Sequence, residues 1–127
     1  MPIKLIAIDM DDTLLDDRQQ VTTRTQRAIR QAMENGVQVA IATGRMFRSA
    51  LPFAVELGIR LPLITYNGAM IRELGSGKTL FHRPIDTALA QELADLFKRR
   101  GWYLQKYVDD TLYVAELDDN ASYYADY

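Results

Sequence analysis

IKLIAIDMDDTLL, residues 3–15, is the stretch that decides the fold: a nearly continuous apolar run that ends in three carboxylates. Apolar residues at successive positions are typical of a central parallel strand covered on both faces. In open α/β sheets, ligands bind beyond the carboxyl ends of such strands. We therefore expect residues 3–8 to form a buried strand, with Asp9 and Asp11 at a reactive strand exit.

The acidic cluster after this strand predicts chemistry with a cation. Asp9, Asp11 and Asp12 repel one another unless something positively charged joins them, and their oxygen atoms favour Mg²⁺ over softer metals. A carboxylate is already ionised at neutral pH and needs no base to act as a nucleophile, which suits Asp9 for nucleophilic attack. The pattern is also compatible with an acidic turn that holds water or a structural cation.

Downstream of the acids, hydrophobic periodicity predicts alternating helices and strands. The predicted elements are a helix from Thr22 or Thr23 to about Asn35, a strand over 37–42, a helical region over 46–57 interrupted at Pro52, a strand over 61–66, and a hairpin of 69–73 with 79–82. Strands linked by helices form right-handed parallel units whose exits meet at one edge of the sheet. The pattern indicates an α/β fold with a Rossmann-like parallel sheet.

The pattern of predicted strands ends near Arg83 and Pro84, and a new helical pattern begins. We therefore expect a domain boundary there, between residues 1–83 and 84–127. Asp86 can cap a helix that ends at Gly101. Two strands joined by Asp109 and Asp110 follow, and a further helix is predicted from about Asn120.

Composition excludes several functional classes. The chain has 127 residues, a net charge of −2 and no cysteine. A nucleic acid or an anionic membrane binds a basic surface, so we expect neither partner. The absence of cysteine excludes disulfides and thiolate catalysis. With no apolar run long enough to cross a bilayer and no signal peptide, a cytoplasmic location is expected.

The sequence DMDDTLL, residues 9–15, resembles the first signature of the haloacid dehalogenase-like superfamily of phosphohydrolases. The whole chain is similar to the first part of its Cof-type branch. The resemblance implies that residues 1–83 are the N-terminal half of a phosphatase core domain. It also implies that residues 84–127 begin an α/β cap domain inserted after the third core strand.

The same resemblance assigns roles to individual residues. Asp9 is the implied nucleophile and Asp11 the general acid and base, with Mg²⁺ held by Asp9 and by the backbone carbonyl of Asp11. The backbone amide of Met10 is expected to line the phosphate. Thr43 and Gly44 resemble the second signature, which binds a phosphoryl oxygen. Arg45 contacts substrate or merely begins a helix, and Asn67 belongs to the site or merely to a turn.

The resemblance implies a Mg²⁺-dependent phosphohydrolase that forms an aspartyl phosphate. Its substrate is a small phosphorylated metabolite, with a sugar phosphate favoured. The family's third and fourth signatures, a lysine and a later acidic motif, are missing from these residues. We therefore expect a truncated chain that is inactive alone and self-associates through uncovered sheet surfaces. The alternatives are a non-catalytic remnant that binds metal, phosphate or a partner, and a receiver-type signalling domain.

Overall fold

The computed structural model describes residues 2–125, apart from the side chains of residues 120, 123 and 125. The chain divides into two compact units, residues 1–82 and residues 83–127. This division falls one residue before the predicted domain boundary. The identity of the two units as half of a phosphatase core and part of a cap stays a prediction.

Three parallel strands organise residues 1–82. Strand β1 (Leu5–Ile8) pairs in parallel with β2 (Gln38–Ile41), in a register that places Ile8 opposite Ile41. Ala42 continues the sheet through a parallel bridge to Ile64 of β3 (Leu63–Thr65). The carboxyl ends of all three strands therefore lie at the same edge, and the predicted α/β class with a parallel sheet is confirmed.

Two helices connect these strands. Helix α1 (Thr23–Glu34) begins as predicted, because the Thr22 side chain accepts a hydrogen bond from the amide of Thr25 at 3.2 Å. Helix α2 (Phe47–Glu56) contains Pro52 without a break, so the predicted interruption is wrong. A proline removes one backbone donor, and the buried face of α2 that packs into the core outweighs that loss.

An antiparallel hairpin follows β3. A 3₁₀ turn (Tyr66–Gly68) leads into β4 (Met70–Arg72), which pairs with both β3 and β5 (Thr79–His82). The predicted hairpin is confirmed: its first strand is shorter than expected, and its second strand has the predicted bounds. Asn67 adopts a left-handed backbone conformation in this turn, with φ of 54°, which asparagine tolerates better than most residues.

The apolar core of residues 1–82 lies between the sheet and its helices. Its most deeply buried members are Met10, Ile41, Ala50, Ala54 and Leu63. Strand β1 is not covered on both faces as predicted, since Leu5 is 54% exposed. Among residues 2–125, β1 pairs only with β2, so one of its edges carries no strand in the described part of the chain.

Residues 83–127 form their own small unit. Helix α3 (Thr87–Arg100) is capped by Asp86 and ends at Gly101, whose φ of 64° supplies the left-handed C-cap. Strands β6 (Gln105–Val108) and β7 (Thr111–Val114) pair as a hairpin. Helix α4 (Asp119–Ala125) begins beside the predicted position, and its expected continuation falls outside the described residues. Over residues 2–125, the structure has no helix with the length and apolar character needed to traverse a bilayer.

Candidate active site

Asp9 is the first residue beyond β1, and its carboxylate is solvent-exposed at the edge where the parallel strands end. Its backbone is extended, with φ of −75° and ψ of 157°. It precedes a tight loop over Met10–Leu14, which is closed by a hydrogen bond of 2.9 Å from the amide of Leu15 to the carbonyl of Met10. The amide of Met10 donates a hydrogen bond of 2.8 Å to Oδ1 of Asp9. This bond fixes the direction in which the carboxylate faces.

An open cleft of about 380 Å³ lies at the ends of the strands. Asp9 is in its wall, together with two other residues that the sequence assigned to the site, Thr43 and Gly44. The complete lining is Asp9, Ala42, Thr43, Gly44, Ile64, Asn67 and Gly68. The sheet therefore assembles residues that are more than thirty positions apart in the sequence into one concave surface.

Thr43 follows β2 and is buried, with 4% of its surface exposed. Its backbone amide donates to the carbonyl of Ile64 at 2.9 Å, and its carbonyl accepts from the amide of Asn67 at 3.1 Å. Its hydroxyl oxygen accepts a hydrogen bond from the amide of Arg45 at 3.1 Å. Because the hydroxyl already accepts from the backbone, its own proton remains available for an anion in the cleft.

Gly44 and the side chain of Asn67 lie close together in the wall of the cleft. A methyl group added at Gly44 would lie 3.0 Å from Oδ1 of Asn67, a contact tight enough that the asparagine side chain would have to shift. Glycine at this position therefore lets the asparagine amide approach the backbone after β2. The sequence left the role of Asn67 open, and the structure places this residue in the lining of the cleft.

Asp11 is held differently from Asp9. The guanidinium of Arg45 donates from Nε to Oδ2 of Asp11 at 3.0 Å and from Nη2 to Oδ1 at 2.5 Å. Asp11 is not among the residues that line the cleft. The two predicted catalytic acids thus have separate surroundings, one open to the cleft and one engaged by an arginine.

Met10 has its side chain fully buried in the core. Its amide, which the sequence assigned to phosphate binding, is already bound to Asp9. The predicted phosphate contact requires Asp9 to release this amide, so that role stays a prediction. Burial of the Met10 side chain explains why an apolar residue stands between two acids: it anchors the loop that carries them.

The described residues contain no cluster of three or more aspartate, glutamate or histidine side chains that could hold a metal ion. Asp9 and Asp11 are the two predicted ligands. The Asp11 carboxylate is paired with Arg45, and the assignment of Asp9 and of the Asp11 backbone carbonyl to a metal ion stays a prediction.

Comparison with known proteins decides the family. The sequence profile of haloacid dehalogenase-like hydrolases matches residues 6–126 of this chain. The chain belongs to the haloacid dehalogenase-like hydrolases. The resemblance inferred from the DMDDTLL motif is therefore confirmed.

The relatives of this haloacid dehalogenase-like chain include phosphatases. Phosphatase YwpJ of Bacillus subtilis is 32% identical over 114 residues, which cover 90% of this chain and 40% of that protein. The 5-amino-6-(5-phospho-D-ribitylamino)uracil phosphatase YcsE of the same organism is 48% identical over 69 residues, covering 54% of this chain and 28% of that protein.

A solved structure also resembles this chain in its fold. A haloacid dehalogenase-like hydrolase from B. subtilis superposes with a TM-score of 0.82 at 30% identity, over 93% of this chain and 41% of that one. The chain thus spans well under half the length of these relatives.

Proposed function

We propose that the full-length protein is a Mg²⁺-dependent phosphatase that hydrolyses monoesters of small metabolites through a phosphorylated aspartate. The observation that carries the proposal is the exposed Asp9 carboxylate in the wall of a cleft shared with Thr43 and Gly44. In this proposal, the nucleophile shares one cleft with a hydroxyl group and with a residue that has no side chain. Family membership and the phosphatase relatives support the same reaction class.

The attacking group is the Asp9 carboxylate. Its Oδ1 is oriented by the Met10 amide, which leaves Oδ2 to attack phosphorus. As the new bond forms, the bond between phosphorus and the ester oxygen breaks, and the leaving oxygen takes a proton from Asp11. Water then attacks the aspartyl phosphate and gives a proton to Asp11, and Asp9 departs as a free carboxylate. The role of Asp11 rests on the family resemblance.

The phosphate is bound by the exit of β2. The Thr43 hydroxyl accepts from the Arg45 amide and keeps its own proton to donate to a phosphoryl oxygen. Gly44 has no side chain to keep a phosphoryl oxygen from the backbone. The buried position of Thr43 holds this donor in place before the substrate arrives, which lowers the cost of binding.

The donor atoms present fit Mg²⁺. The residues that would hold the ion are Asp9, through its carboxylate, and Asp11, through its backbone carbonyl. Mg²⁺ commonly uses only one or two carboxylates and completes its shell with water and substrate phosphate, so a cluster of three acids is not required. Bound there, the ion would reduce the repulsion between an anionic nucleophile and an anionic phosphate.

Small phosphate monoesters match the dimensions of the cleft. At about 380 Å³ it lies at the lower end of the usual range for ligand sites. One relative is described as acting on 5-amino-6-(5-phospho-D-ribitylamino)uracil, which is a phosphorylated small metabolite. We favour sugar phosphates and related esters over nucleotides.

A second candidate is binding of phosphate or metal without turnover. The observation that favours it is the Asp11 carboxylate, both oxygens of which are engaged by Arg45. If this pair does not open, neither carboxylate oxygen of Asp11 is free to contact a leaving group.

Phosphate release by the full-length protein tests the proposal. The panel contains 4-nitrophenyl phosphate, a hexose phosphate and a nucleoside monophosphate, each with Mg²⁺ and with excess EDTA. We expect release that requires Mg²⁺ and is fastest with the hexose phosphate among the two metabolites. Absence of release from every ester, together with retained binding of inorganic phosphate by calorimetry, would favour the second candidate and overturn the first.

A further inference from the structure

Arg45 lies between the exit of β2 and the start of α2, and its side chain is almost fully buried. Only 8% of that side chain is exposed, whereas its partner Asp11 is 38% exposed. A buried guanidinium is costly unless it is paired and its donors are bound. Asp11 supplies the pairing through two parallel hydrogen bonds, the geometry for which arginine is best suited.

The guanidinium also contacts Gln19 and Phe53. Nη2 also donates to the side-chain oxygen of Gln19, in the loop that follows the acidic motif. The Cζ atom lies 5.6 Å from the centroid of the Phe53 ring, on α2. The side chain is thereby directed toward the loop after β1, and it is not among the residues that line the cleft.

The backbone of Arg45 joins the other two strand exits. Its amide donates to the Thr43 hydroxyl at 3.1 Å, and its carbonyl accepts from the amide of Tyr66 at 3.0 Å. Together with the side chain on Asp11, one residue connects the exits of β1, β2 and β3. A contact of this kind transmits the position of each loop to the others.

We propose that Arg45 is a positioning residue that acts through Asp11 and does not bind the phosphate. This inference rests on the proposed function, in which Asp11 protonates the leaving group. The bidentate contact confines the Asp11 side chain to a narrow range of orientations in the loop after β1, and rotation away from the guanidinium then frees the carboxyl group to exchange a proton with the leaving group. Without the guanidinium, the Asp11 carboxyl group can still exchange a proton, but its orientation is no longer fixed.

A double-mutant cycle on the full-length protein tests this role. We expect Arg45→Met to lower kcat by about 10- to 100-fold, the scale of a misplaced catalytic group, with KM unchanged. In an Asp11→Asn background, the same substitution has no further effect, because the group it positions is already disabled. Arg48→Met is the matched control, since Arg48 is an exposed arginine three positions later, in the first turn of α2.

The identity of the leaving group sharpens the test. Proton delivery matters most for an alkyl phosphate and least for 4-nitrophenyl phosphate, whose leaving group departs without a proton. The loss caused by Arg45→Met should therefore be large with the alkyl ester and small with the nitrophenyl ester. Arg45→Lys, which keeps the charge but not the planar fork, should recover part of the loss and remains informative if Arg45→Met folds poorly.

Three results decide the matter. Additive losses from Arg45→Met and Asp11→Asn, or an increase in KM and in the inhibition constant of inorganic phosphate, mean that Arg45 binds the phosphate directly and overturn the inference alone. A wild-type protein that hydrolyses no ester overturns the proposed function and this inference with it. A non-additive cycle with an unchanged inhibition constant supports both.

Discussion

Residues 1–82 contain a packed apolar core, whereas among the described side chains of residues 83–127 only Ala121 is buried. The first unit therefore holds its site loops against buried residues such as Met10, Ile41 and Leu63. The second unit relies on local devices, among them a capped helix, a tight hairpin turn and the edge-to-face pair of Phe97 and Trp102 at 5.5 Å. Rigid placement of catalytic groups requires the first kind of support, so we assign the chemistry to residues 1–82.

The largest expected effect concerns that assignment. Asp9→Asn in the full-length protein removes the anionic nucleophile while it keeps the size and shape of the side chain. We expect phosphate release to fall by roughly 10⁴-fold or more, on the scale seen for lost nucleophiles. The matched control is Asp95→Asn, which makes the same change on the exposed face of α3. Equal losses from both variants would remove the functional distinction between the two units.

The next effect concerns the core. Leu63 is fully buried in β3, and Leu63→Ala leaves a cavity that should cost about 2–5 kcal/mol of unfolding free energy. Leu93→Ala in the half-buried face of α3 should cost about 1 kcal/mol or less, because solvent already reaches that side chain.

Urea unfolding of the chain measures both changes. Trp102 is the only tryptophan, so its fluorescence reports residues 83–127, while far-ultraviolet circular dichroism reports both units. Before any substitution, we expect the fluorescence transition at a lower urea concentration than the main circular dichroism transition. Coincident transitions would mean that the two units unfold together and that the contrast in burial has no energetic consequence.

A smaller effect tests the cleft. Gly44→Ala places a methyl group 3.0 Å from Oδ1 of Asn67, and the resulting displacement should weaken inhibition of the full-length protein by inorganic phosphate about tenfold. Gly75→Ala is the control, because no atom lies within 4 Å of the added methyl group at that position. An unchanged inhibition constant for Gly44→Ala would exclude this part of the cleft from phosphate binding.

The smallest effect compares the two helix caps. Asp86 accepts from the Leu89 amide at 2.9 Å, and Asp86→Ala should cost about 1 kcal/mol, visible as a lower midpoint in Trp102 fluorescence. Thr22→Ala removes the equivalent cap from α1 and should leave that midpoint unchanged. A shift of the fluorescence midpoint by Thr22→Ala would show that the stabilities of the two units are coupled.

Local signals in the sequence determined much of this protein. Several predicted elements begin or end within a few residues of their observed bounds. The signals that specified them are the apolar run before Asp9, the capping residues Thr22 and Asp86, and the glycine at position 101. These features depend on residues close together in the sequence, either through the alternation of a strand or through hydrogen bonds within one turn. They can therefore be predicted without knowledge of the tertiary structure. The acidic motif likewise identified the family, because all of its residues lie in the single loop that follows β1.

Only the tertiary structure decided how the loops meet. Pro52 does not break α2, because burial of the helix against the core outweighs one missing hydrogen bond. The pairing of Arg45 with Asp11 and the approach of Asn67 to Gly44 join residues from different strand exits. Contacts between distant residues depend on which strands pair and how the loops after them pack, and the periodicity of a single segment does not specify its partners.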